Sequence, residues 1–330
     1  LEALVYFVDE INRAPPIAQK QFFGLGDGKM DYKGQEISLG RNGYHILIAT
    51  ANIGNGEFQG TFETDKALFN RLHVALDLEH KSLQPTYKDK RKIRQRNANP
   101  NVLSSEKGDI SEKLIEATRE IKDRSLDLEP QAVLDYLETG LQNCQRNITK
   151  DRVWPMACQD CQFNKQGDAL CSRIRSPTTR TMEVVRKYAS ALEYLAKLKN
   201  PDIKIEPYEL IFKAFELAGA YQHLLNPQHL RQNYGHNPKL MQEVIDELKK
   251  DYESQRDFIL TSIEAGRKGQ KVSCFFSYEG ETGNFDDLSE KARKKTQKIE
   301  PFTDKREIGL SWVNDFVDAE IAESKDDKSK

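Results

Sequence analysis

The chain has 330 residues, is 38% hydrophobic and 31% charged, and carries 50 basic and 52 acidic side chains for a formal net charge of -2. That length suits two or three domains, and that balance describes a folded globular protein, not a disordered chain or a strongly basic nucleic-acid binder. No apolar run approaches a membrane span, no signal peptide is visible, and five cysteines, four of them clustered, do not make a secreted disulfide framework, so the expected compartment is cytoplasmic.

The first stretch, Leu4-Val5-Tyr6-Phe7-Val8, is a short apolar run rich in β-branched and aromatic residues. It suits a strand buried on both faces of a parallel sheet. It runs directly into Asp9-Glu10, which a strand end delivers to the carboxyl edge of the sheet, where open α/β folds bind ligands. There Asp9 can hold a hydrated Mg²⁺ and Glu10 can polarise a water. Two solvated acids at a strand end are the alternative.

Residues 14 to 28 read as a helix with Pro15 and Pro16 in its first turn. Gly24-Leu25-Gly26-Asp27-Gly28-Lys29 is glycine-rich and ends in Lys, but reads as a helix end running into a turn. Met30 to Leu39 alternates and breaks at Lys33-Gly34, the pattern of a hairpin. His45 to Thr50 is a second apolar strand closed by Ala51-Asn52, and a helix begun near Asp65 ends at Arg71. From Lys88 to Arg96 six of nine residues are basic, and the run reads as a solvated, mobile insertion, with nucleic acid not the expected partner.

Two helical patterns occupy 110 to 144, the second beginning after Pro130. Cys144, then Cys158-Gln159-Asp160-Cys161, then Cys171 supply four thiolates, the count and type of a tetrahedral metal site. Zinc is the first choice, a [4Fe–4S] cluster takes the same ligands, and thiols packed in a helical domain are the alternative. Cys274 reads as a core cysteine. Helices follow through Val184 to Leu195, from Pro207 towards Leu225, and over 238 to 265. Then come one strand near Gln270 to Tyr278, a basic helix over 287 to 298, a last helix over Ile308 to Ile321 and a charged, disordered tail from Ser324.

Several of these stretches occur in a recognisable order: Asp9-Glu10-Ile11-Asn12-Arg13-Ala14-Pro15-Pro16, the strand ending in Asn52, Gly60-Thr61-Phe62, and Ala67-Leu68-Phe69-Asn70-Arg71-Leu72. Together they resemble the MoxR-like branch of the AAA+ ATPases, closest to its rubisco-activase-like and gas-vesicle-type members. The likeness covers residues 1 to about 80 well and 110 to 225 loosely. It implies an α/β fold: a partial AAA+ parallel-sheet core over 1–105, an α-helical lid over 106–228 with the cysteine-rich insertion at 144–171, and a mostly helical C-terminal extension over 229–330. It implies ATP hydrolysis with Mg²⁺ by a ring, a hexamer, that works as a chaperone on a protein client, and it suggests a von Willebrand A-domain partner. Asp9 would bind the metal, Glu10 would activate water and Asn52 would act as sensor-one. Arg71 would be an arginine finger acting in trans, and Arg180, or else Arg175, the sensor-two arginine. A P-loop of the form G-x-x-x-x-G-K-[ST] occurs nowhere in these residues, which reads as a chain lacking the family's first strands. The other reading is a non-catalytic module, a degenerate AAA+ relative or a metal-knotted lid, that binds protein or nucleic acid.

Overall fold

The computed structural model describes residues 5–41, 43–52, 60–62, 64–78, 84–95, 110–142, 170–233 and 237–268, with 273–274, 285–286, 313, 316, 319 and 322 beyond them. The chain divides into two compact units, Leu1–Asp123 and Arg124–Lys330. The described residues are mostly helical, with one small parallel sheet.

In the first unit β1 (Val5–Val8) leads into a 3₁₀ turn (Ile11–Arg13), α1 (Pro16–Gln19) and α2 (Gln21–Gly26). A hairpin of β2 (Lys29–Tyr32) and β3 (Gln35–Ser38) follows, then β4 (Ile46–Ala49), α3 (Lys66–Phe69), α4 (Tyr87–Arg94) and α5 (Ser111–Asp123). β1 and β4 pair in parallel, Val5 opposite Ile46 and Val8 opposite Ala49. The helices and hairpin between them form the long crossover that parallel pairing requires.

The expectation that β1 is buried on both faces is not met. Val5, Phe7 and the Phe7 partner Ile48 are exposed on one face, because nothing among the described residues covers that side of the two strands. The single helix expected over 14–28 is two short ones that share Lys20 as a cap. Each has its own anchor. Gln19, fully buried, donates to the Ala14 carbonyl and accepts from the Asp65 amide, while Phe23 of α2 lies under Arg71.

The hairpin breaks at Lys33-Gly34 as its sequence requires. Both residues have positive φ, 56° and 79°, the geometry of a two-residue turn matched to strand twist. The glycine-rich run before it is packing, not a phosphate cradle. α2 ends at Gly26, where a Cβ would sit 2.8 Å from the Arg71 Cβ, and at Gly28 (φ 74°) one would sit 2.7 Å from the His45 ring.

The second unit holds α6 (Leu128–Glu138), a 3₁₀ turn (Gly140–Gln142), α7 (Leu170–Arg173), α8 (Thr179–Lys199), α9 (Pro207–Gly219), α10 (Pro227–Asn233) and α11 (Asn237–Arg267). The pairs Ser273–Cys274 and Phe285–Asp286 form a minimal antiparallel ladder. α6 starts two residues before Pro130, which sits in its first turn, where a missing N–H costs no hydrogen bond. Tyr136, Phe212 and Tyr252 meet at the centre with ring centroids 5.5 to 6.4 Å apart. Arg256 closes this cluster with a bidentate pair to Glu129 and lies 4.6 Å from the Tyr208 ring centroid. Burial pushes the Tyr252 phenol well above its ordinary range. The long helix α11 contributes Leu240, Val244 and Leu248 to the same core as α6 and α9. Of the last helix, Val313 and Phe316 are helical and buried in that core. The basic stretch 287–298 and the tail lie outside the described residues.

Candidate active site

The parallel pairing of β1 with β4 sets their two carboxyl ends side by side. The backbone continues the ladder past both strands: the Thr50 amide donates to the Val8 carbonyl (3.0 Å), and the Ile11 amide to the Thr50 carbonyl (2.8 Å). Asp9 and Glu10 thereby come against Thr50 and Asn52.

Glu10 adopts the left-handed region, φ 48° and ψ 50°. That region is uncommon for a residue with a Cβ and costs on the order of 1–3 kcal/mol, so surrounding bonds must hold it. Its amide donates to Thr50 Oγ1 (2.8 Å), and the same hydroxyl donates to Asp9 Oδ1 (2.5 Å). One threonine hydroxyl therefore fixes the turn and one carboxylate together. The Glu10 side chain accepts from Asn52 Nδ2 on Oε1 (3.2 Å) and pairs with Arg13 Nε through Oε2 (2.7 Å). The Arg13 pair is half-exposed and of the class worth about 0–1 kcal/mol, so a ligand can displace it.

Beneath these groups lies Asn12, 3% exposed. Its Nδ2 donates to the Asn52 carbonyl (2.8 Å) and its Oδ1 accepts from the Asn52 amide (3.3 Å). The buried amide clamps the backbone of Asn52, which leaves the Asn52 side chain to reach Glu10. The Phe62 amide donates to the Asn12 carbonyl (2.7 Å), tying in the Gly60-Thr61-Phe62 step.

The arrangement has the donor set for a metal–phosphate ligand. Asp9 is exposed and offers a single carboxylate, which fits Mg²⁺, an ion that keeps most of its waters and takes its remaining ligands from phosphate oxygens. Glu10 is an acceptor beside it, oriented by an amide, and can take a proton from water.

Asp9, Glu10 and Asn52 are thus brought together. The Asn52 side chain donates to Glu10, and residues 53–59 after it lie outside the described residues. Arg71 lies in the same unit with its guanidinium engaged within the chain. Nε pairs with Asp27 (2.9 Å), Nη1 donates to the Ala67 carbonyl (2.8 Å), and the group lies 4.7 Å from the Phe23 ring centroid. Arg180 and Arg175 belong to the second unit, where both are exposed; Arg180 sits in the first turn of α8, behind its Thr178 cap. Cys171 is half-buried in α7, whereas Cys144, Cys158 and Cys161 lie outside the described residues. Among the described residues no group of three histidine, cysteine or acidic side chains could hold a metal.

Sequence reasoning assigned no role to Asn12, Thr50 or Arg13.

No protein-family model and no curated protein matches the chain. Among solved structures, the 2.00 Å crystal structure of a protein described as a "putative ATPase" from Cytophaga hutchinsonii is similar to it, with a TM-score of 0.51 at 14% identity. The match covers 73% of this chain and 64% of that one, so this chain spans less than two thirds of that protein. A likeness at this identity is one of fold.

Proposed function

We propose that this chain forms the hydrolysis and sensing part of an ATPase of the AAA+ type, MoxR-like in organisation. The observation that carries the reading is the set of Asp9, Glu10 and Asn52 at the carboxyl ends of two adjacent parallel strands, with the Asn52 amide on the Glu10 carboxylate. The fold likeness to a protein described as a "putative ATPase" supports it. Asp9 would hold the Mg²⁺ of Mg-ATP, and the ion would supply charge neutralisation at the phosphates. Glu10 takes the proton of the attacking water once Arg13 swings away. Asn52 orients Glu10 and reports the state of the γ-phosphate. Arg71 acts in trans within a ring, a hexamer in the family it resembles, after exchanging Asp27 for a phosphate. Arg180 acts in cis. A protein client, a von Willebrand A-domain partner, a cytoplasmic location and a zinc staple on Cys144, Cys158, Cys161 and Cys171 complete the reading.

The test is Glu10→Gln in the protein that carries this chain. Hydrolysis falls by about 100-fold or more while nucleotide binding survives, the size expected for loss of a general base. Hydrolysis at the parental rate refutes the assignment. The second reading is a non-catalytic interaction module that binds protein or nucleic acid. Absence of Mg-ATP binding by the whole protein supports that reading over the first.

A further inference from the structure

Of the basic run Lys88 to Arg96, Arg96 lies outside the described residues, while residues 88–94 are helical, in α4, Tyr87–Arg94. Its start is a full capping box. The Thr86 hydroxyl accepts from the Asp89 amide (3.3 Å), and the Asp89 carboxylate accepts from the Thr86 amide (3.1 Å) and hydroxyl (2.6 Å). These bonds hold Asp89, the helix's only acid, below the usual carboxylate range. No side chain of α4 is buried; Tyr87 is 77% exposed.

Three features distinguish this helix from an ordinary solvated face. First, five of its eight residues are cations, Lys88, Lys90, Arg91, Lys92 and Arg94, against the single acid Asp89, whose carboxylate Lys92 attracts from one turn on. Second, they repel one another along the helix: Lys88 with Lys92 and Lys90 with Arg94 are four apart, Lys88 with Arg91 and Arg91 with Arg94 three apart, spacings at which like charges destabilise. A helix this short is marginal in water, and this one has no buried face to offset the repulsion. A polyanion removes it. Third, one face combines charge with an aromatic ring. At about 100° per residue Tyr87, Lys90, Arg91 and Arg94 fall within an arc of about 100°, the i, i+3, i+4, i+7 stripe, while Lys88 and Lys92 extend the cationic surface to an arc of about 200° and Asp89 and Ile93 occupy the remainder.

We propose that this stripe docks single-stranded nucleic acid, with Lys90, Arg91 and Arg94 on successive phosphates and the Tyr87 ring stacked on a base. Charge alone suits any polyanion. An exposed aromatic in the same stripe favours a strand whose bases are open, since each base offers a face to stack on. The inference does not depend on the nucleotide site above.

The experiment is fluorescence anisotropy of the whole protein with a labelled twenty-nucleotide oligo-dT between about 50 and 200 mM salt, the range over which counterion release is read. Three neutralised phosphates predict a slope of log K against log[salt] near -2, at about 0.7 per phosphate for single strands. Reversing the stripe, Lys90→Glu with Arg91→Glu and Arg94→Glu, weakens binding at least about tenfold and removes most of the slope. Tyr87→Ala weakens it about 5- to 100-fold and leaves the slope unchanged. Because α4 buries no side chain, these variants keep the parental thermal unfolding, which serves as the folding control. The proposal is overturned by no binding at the low-salt end, or by binding that the triple variant retains. It is equally overturned if Tyr87→Ala has no effect and a duplex binds as well, or if a polyglutamate peptide binds and the oligonucleotide does not.

Discussion

The buried clamp at Asn12 has the clearest consequence. Asn12→Ala removes two hydrogen bonds to the Asn52 backbone, at 2.8 and 3.3 Å. At about 1 kcal/mol each the loss is about 2 kcal/mol, since at 3% exposure water does not readily replace the missing amide. For a unit of the size of Leu1–Asp123 that lowers the unfolding midpoint by about 10 °C. Asn12→Asp is the sharper variant. It keeps the acceptor for the Asn52 amide but turns a carboxylate oxygen towards the Asn52 carbonyl and buries a charge without a counter-ion, so at neutral pH it is less stable than Asn12→Ala. Burial raises the folded-state pKa of that aspartate above its unfolded value near 4, so its deficit is complete above the folded pKa and shrinks as pH falls through it. Differential scanning calorimetry of both variants at pH 7 and at about pH 5 reads both effects. An Asn12→Ala midpoint within about 2 °C of the parent, or an Asn12→Asp more stable than Asn12→Ala at neutral pH, refutes the clamp.

Arg71→Ala removes the Asp27 pair, the Ala67 bond and the contact with Phe23 from a side chain only 17% exposed, and destabilises the first unit by about 2 kcal/mol in urea unfolding. Unchanged stability would mean that the guanidinium is not held inward in solution. Phe215→Ala, at a fully buried position of the second unit, costs about 3–5 kcal/mol, and a change under about 1 kcal/mol contradicts the packing. Burial raises the phenols of Tyr208 and Tyr252. Their contribution is therefore intact below the unfolded tyrosine pKa near 10, and the stability of the second unit falls as pH rises above it. Urea midpoints taken across that range show the fall, and Tyr252→Phe flattens it; a fall of equal slope in Tyr252→Phe excludes that residue as a source.

Local pattern settled much of this protein. The β-branched run Val5–Val8 is a strand, Lys33-Gly34 is a hairpin turn, and the helices of the second unit follow their apolar periodicity. Each of these depends on residues a few positions apart, where one stretch of chain holds all the information. The pairing of Asp9-Glu10 with Asn52 was legible only through the order of several motifs, because the residues are about forty apart in the chain. Four things belonged to the tertiary structure alone. Asn12 and Thr50 hold the site through bonds to the far strand, and no local pattern marks a side chain whose partner is set by strand register. Arg71 turns towards Asp27 and Phe23 because α2 lies beneath it. The face of Val5, Phe7 and Ile48 is open because burial depends on what packs against a sheet and not on the strand's own composition. Residues 87–94 form a capped helix that places Tyr87, Lys90, Arg91 and Arg94 on one stripe, a distinction that charge content cannot make, since the same residues in a coil would present no stripe.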